Sequence, residues 1–74
     1  MSDLHIRQGR YRHYKGNEYN VHGIALHSET QEPLVFYTSL HDPETSWVRP
    51  YHMFVEWVVC QNSLVPRFMY IGPL

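Results

Sequence analysis

One unbroken string, YRHYKGNEYNVHGIALHSET from Tyr11 to Thr30, constrains the fold more than anything else in the chain. Aromatic and β-branched residues flank Gly16-Asn17, a pair that tolerates positive φ. The string therefore reads as a strand over about Arg10 to Tyr14, a two-residue turn, and a long strand over about Glu18 to Ser28. In the long strand Tyr19 and Val21 share one face, whereas Ile24 and Leu26 fall in the opposite phase. A bulge near Gly23 would return both pairs to one core. The string announces an all-β protein and no reaction.

The remaining punctuation agrees. Glu29 to Pro33 form a polar turn, and Leu34 to Leu40 is apolar on both faces, as in a strand interior to a sheet. Asp42-Pro43-Glu44 carries the residues of a type I turn. Trp47-Val48-Arg49 begins a short strand that Pro50 stops, and one helical turn is expected near Pro50–Phe54 because proline suits a helix start. Val55 to Val59, a turn at Gln61-Asn62-Ser63, and a last strand at about Arg67 to Ile71 complete the chain. Residues 1–8 read as a flexible leader and 9–74 as a single domain. Five or six short strands, spaced by roughly 8–12 residues and joined by turn signals, predict a small SH3-like barrel. Closure into a barrel would also remove the exposed edges of such apolar strands.

Length and composition narrow the classes. With 74 residues the chain makes one domain at most and has only a small core, which six Tyr, three Phe and two Trp fill efficiently. The single cysteine, Cys60, excludes an intrachain disulfide framework and fits the cytoplasm. No signal-peptide pattern or membrane-length apolar run is present, so no membrane partner is expected. A net charge of −1 argues against an obligate nucleic-acid binder, although Arg7, Arg10, Arg12 and Lys15 crowd the first fifteen residues. Protonation of all six histidines would carry the formal charge from −1 to +5.

Four segments carry a family resemblance: Gly9-x-Tyr11-Arg12-His13-Tyr14-Lys15-Gly16-Asn17, His27-Ser28-Glu29-Thr30, Trp47-Val48-Arg49-Pro50-x-x-Met53-Phe54 and Pro66-Arg67-Phe68. In this order the chain resembles the small bacterial family catalogued as domain of unknown function sixteen fifty-three, over roughly Gly9 to Ile71. The resemblance implies an SH3-like barrel in a bacterial cytoplasmic protein and implies no activity. Two departures stand out. His41 replaces an aromatic residue expected from the resemblance, and the Gln61-Asn62-Ser63 turn lacks the expected glycine.

Chemistry-bearing motifs are few. His27, Ser28 and Glu29 hold the residue types of a hydrolytic triad, but consecutive strand residues point to opposite faces and cannot hydrogen-bond in series. His27 and Glu29 instead suit polar contacts at a pocket rim. The histidines meet none of the usual zinc spacings, isolated glycines make no phosphate loop, and Cys60 suits small-residue packing; no metal and no cofactor is expected. The sharpest pair is Trp47 and Arg49. In an extended strand they share a face, with Val48 turned into the core, and an indole beside a guanidinium offers a stacking plane and a bidentate donor. Tyr37, opposite in phase to Phe36, joins that face if its strand is adjacent. Arg67, between Pro66 and Phe68, can pack its stem while its head meets an acid.

These observations predict a binding module without catalytic residues. Its candidate site is Trp47, Arg49, Tyr37, His27, Glu29 and Arg67, taking a peptide or single-stranded nucleic acid. The barrel-to-binding step is fold-level analogy. Two alternatives stand beside it: a small enzyme or enzyme subunit using His27 and Glu29 as acid–base groups on a nucleotide-like substrate, and a structural or dimerising module. A monomer or weak homodimer is expected.

Overall fold

The Tyr11–Thr30 string forms an antiparallel hairpin of β1 (Gly9–His13) and β2 (Glu18–Leu26) in the computed structural model, which describes residues 4–74. The turn differs from the expected Gly16-Asn17 pair. Gly16 N–H donates to His13 O and His13 N–H to Asn17 O, both at 2.7 Å, so Tyr14-Lys15-Gly16 make the loop. Gly16, at φ 113°, takes the position that needs positive φ.

β2 continues onto β3 (Pro33–Ser39), and the pairing shifts between Val21 and Gly23. His22 is thus the extra residue of the bulge expected near Gly23. The bulge brings Val21 and Ile24 to one core, but Leu26 lies beyond it and is exposed. β4 (Ser46–Pro50) follows the Asp42-Pro43 turn, which Thr45 N–H closes onto Asp42 O. The helical turn α1 (Tyr51–Phe54) comes next, with Pro50 as its cap residue.

The chain then forms a separate hairpin, β5 (Trp57–Cys60) with β6 (Ser63–Pro66), before β7 (Phe68–Gly72) returns to pair with β1. Among the described residues seven strands replace the expected five or six. Four residues ending in Pro66 gave β6 no strand signal of its own, and β5 starts two residues later than read. Its turn is the two-residue Gln61-Asn62, with both residues at positive φ (51° and 65°). This is the strain that the expected glycine would have relieved.

The main sheet has the order β4-β3-β2-β1-β7. Three strand spacings separate β3 from β7, about 14 Å if the sheet were flat. Yet the rings of Tyr37 and Phe68 stand 5.8 Å apart, so the sheet curls around its contents. Tyr11, Val21, Val35, Tyr37, Phe54 and Phe68 form that core. Phe54, 1% exposed, is delivered by α1 and stacks on Phe68 with centroids 4.0 Å apart. Closure is by side chains: among the described residues β4 and β7 remain edges, so the expected removal of edges does not occur.

Residues 4–8 have no regular structure but are tied to the domain. Ile6 packs on the core, Tyr11 Oη donates to Arg7 O at 2.8 Å, and the Arg7 guanidinium lies 4.2 Å from the Tyr70 ring centroid. The rest of the expected leader, residues 1–3, lies outside the described residues. Gly9, where β1 begins, is required by close approach. A Cβ there would meet Gly72 O at 2.5 Å and the Tyr70 ring at 2.6 Å.

Candidate functional site

Strand alternation and register build the site. Tyr37 pairs with Trp47 and Val35 with Arg49, so all four side chains share the inner face of the curled sheet. Val48 therefore points outward and is 59% exposed. This corrects the expectation that Val48 turns into the core. At the end of a curled sheet the inner face holds the large amphipathic side chains, and the small apolar one is left in water.

Tyr19, Tyr37, Ser39, Asp42, Trp47 and Arg49 line an open cleft of about 390 Å³. Tyr37 forms its floor, buried and edge-on to Tyr19 at 5.3 Å between centroids. Trp47 is the uncovered wall at 51% exposed. Arg49 stands at the inner end, its guanidinium carbon 5.5 Å from the Phe68 ring centroid, within cation–π range. Asp42 stands at the opposite end, in the turn between β3 and β4. Asp42 and Arg49 do not pair: among the described residues the ion pairs are Arg12–Glu18 at 3.1 Å and Arg67–Glu56 at 2.9 Å.

Arg49 Nε is buried and has no hydrogen-bond partner among the described residues. Such a group costs stability unless something accepts from it. The surroundings reinforce the positive sign. His13, edge-on to Phe68, has its pKa lowered, first by burial and then by the nearby Arg49, Arg67 and Lys15 charges. Its Nδ1 accepts the Lys15 N–H at 3.1 Å.

The other candidate residues lie elsewhere. His27 Nδ1 accepts the N–H groups of Glu29 (3.1 Å) and Thr30 (3.3 Å), holding the β2–β3 turn at the far end of that hairpin from Asp42. Glu29 is exposed in the same turn. Neither lines the cleft, and the convergence of His27, Glu29 and Arg49 that acid–base chemistry would need is not formed. The Arg67 head meets Glu56, while its Nε is buried without a partner. Sequence reading missed Tyr19, Ser39 and Asp42. Tyr19 shares its face with Val21, and the Asp42-Pro43 turn places its acid beside the strand that carries Trp47; both signals were present.

A second, smaller cleft of about 270 Å³ lies between β1, β7 and the β5–β6 hairpin. Arg12, His13, Tyr14, Cys60, Val65, Pro66 and Met69 line it. Among the described residues no three His, Cys, Asp or Glu side chains are grouped to hold a metal, and no helix is long and apolar enough to cross a membrane.

The family model described as protein of unknown function (DUF1653) matches residues 9–70. The fold is similar to the crystal structure of a protein of that family from Bordetella bronchiseptica, at 37% identity and a TM-score of 0.84, covering 93% of this chain and 91% of the other. Among curated proteins none matches the chain. The chain belongs to the DUF1653 family.

Proposed function

We propose that this DUF1653 protein is a small SH3-like binding module of the bacterial cytoplasm, which recognises a ring-bearing, anionic segment of a partner protein. One observation carries the reading. Arg49 lines an aromatic cleft, with a buried Nε and, among the described residues, no carboxylate paired with its guanidinium. An acid on the ligand neutralises the guanidinium charge, and Trp47 with Tyr19 supplies the face on which a ring or proline lies. Asp42 at the other end of the cleft disfavours a polyanion, so a peptide suits the site better than single-stranded nucleic acid. The curled sheet, with a helical turn after its fourth strand, supports the SH3-like analogy.

The simplest probe is 4-hydroxyphenylacetate, a ring and a carboxylate with no peptide backbone. Saturable shifts of the Trp47 indole resonance, with a Kd in the millimolar range (about 4 kcal/mol of binding), are expected. Arg49→Met should remove them. Unchanged spectra up to solubility would end the reading.

A second reading has its own observation. On the β5–β6 hairpin, Val59 and Leu64 pair across strands and are 70% and 64% exposed, beside exposed Trp57. Such a face suits weak self-association. If that is its role, light scattering at millimolar protein should show dimers that Val59→Glu abolishes.

A further inference from the structure

β4 is an edge strand, and its backbone phase follows from hydrogen bonds elsewhere in the sheet. Along an antiparallel strand the N–H and C=O groups of successive residues turn alternately to the two neighbours. Leu40 N–H donates to Glu18 O, so Leu40, and by alternation Thr38, face β2. The His13 N–H bond to Asn17 O gives the same phase when followed from β1 through the Tyr11–Tyr19 and Asn20–Thr38 pairs. Tyr37 and Val35 then face β4, which makes Tyr37–Trp47 and Val35–Arg49 the bonded pairs. Ser46 and Val48 therefore present their N–H and C=O groups outward. Pro50 falls in the same outward phase, where its missing N–H costs no ladder bond.

Among the described residues no strand lies beyond β4. Edges of this kind are ordinarily blunted by charge, proline, bulges or cover, and β4 has such devices only at its Arg49-Pro50 end. Here the edge carries exposed Ser46, Trp47 and Val48. The two inward side chains that flank Val48 are Trp47 and Arg49, the functional pair of the cleft.

We propose that β4 accepts an extended acidic segment of a partner protein as an additional antiparallel strand. This rests on the reading of Trp47 and Arg49 as a ligand site. The register follows from geometry. A guest residue opposite Val48 exchanges both backbone bonds with it and places its own side chain on the outer face, where an apolar group covers Val48. The guest residue before it falls opposite Arg49, and the one after it opposite Trp47. An acid, an apolar residue and an aromatic residue in N-to-C order meet all three positions. Main-chain bonds supply affinity, and the guanidinium, without an ion-pair partner among the described residues, selects acid at a single position. A free sheet edge recognises chain direction and backbone amides; a small anion or a nucleic acid has neither.

The test uses a capped nonapeptide with Glu-Val-Tyr at its centre between threonines, titrated into the whole protein. Binding about tenfold or more tighter than 4-hydroxyphenylacetate is expected, together with slowed hydrogen exchange at the Val48 amide. N-methylation of the central Val removes the N–H that bonds Val48 O and should weaken binding by about tenfold. N-methylation of the Glu, whose N–H points away from β4, should change binding by less than about twofold. If both methylated peptides bind like the parent, or if the nonapeptide binds no tighter than the small probe, strand addition is wrong while the site reading stands. If the small probe also fails to bind, or Arg49→Met changes neither affinity, the site reading fails first. Binding of a twelve-residue oligouridylate in place of the peptide overturns the proposal.

Discussion

Two ends of the same inner sheet face use aromatic rings in opposite ways. At the β7 end, Phe68 is buried under Phe54 at 4.0 Å and ringed by Tyr19, Tyr37 and His13. At the β4 end, Trp47 stands against Tyr37 with half its surface in water. Arg49 sits between them, its stem on β4 and its guanidinium over Phe68. One strand closes the core and the other leaves the curl open. The difference shows where stability ends and recognition can begin. A ring with four aromatic neighbours is fixed by packing, whereas a ring with one covered side remains available to a ligand.

The largest expected effect lies at the packed end. Phe54→Ala should cost about 3–5 kcal/mol, enough in so small a domain to unfold much of the population at room temperature; urea denaturation measures it. Gly9→Ala comes next, at about 1–3 kcal/mol, because the new Cβ would strike Gly72 O across the β1–β7 pair. Trp47→Ala should cost about 1–2 kcal/mol, since the exposed half of the indole contributes nothing to folding. If it costs as much as Phe54→Ala, the two ends do not differ and Trp47 is a core residue. Arg49→Met is smaller still: it keeps the stem, removes an orphaned buried Nε, and should leave Tm unchanged or slightly raised.

The smallest effect is one of pH. The folded-state pKa of His13 lies below its ordinary value, so between that lowered value and about 6.5 the unfolded chain binds a proton that the folded chain resists. Its contribution is therefore fully present above about pH 6.5. It declines as pH falls toward the lowered folded-state value and is constant below it. His13→Asn, whose side-chain oxygen can still accept the Lys15 N–H, should flatten that part of the Tm–pH curve.

How much of this was readable beforehand differs between the same regions. The Gly23 bulge, the Asp42-Pro43 turn and the helical turn at Tyr51–Phe54 follow from local chemistry, and each formed where its residues stood. β6 did not announce itself because four residues ending in proline carry no periodicity. Trp47, Arg49 and Tyr37 could be grouped by alternation alone, but which way they faced could not. That depends on the curl of the sheet, and the rule that the apolar residue goes in fails at Val48, which is exposed. Tyr19 and Asp42 carried local signals, a shared face with Val21 and a turn beside the Trp47 strand, but only pairing across the sheet brings them to one cleft.

The central claim, that Trp47 and Arg49 form a ligand site, is tested most directly by fluorescence. Trp57→Phe leaves Trp47 as the one indole in the protein. Titration with the Glu-Val-Tyr nonapeptide should shift its emission saturably, and Arg49→Met in that background should abolish the shift while Tm holds. An emission that stays constant through the titration, or a shift that survives the loss of the guanidinium, would contradict the account.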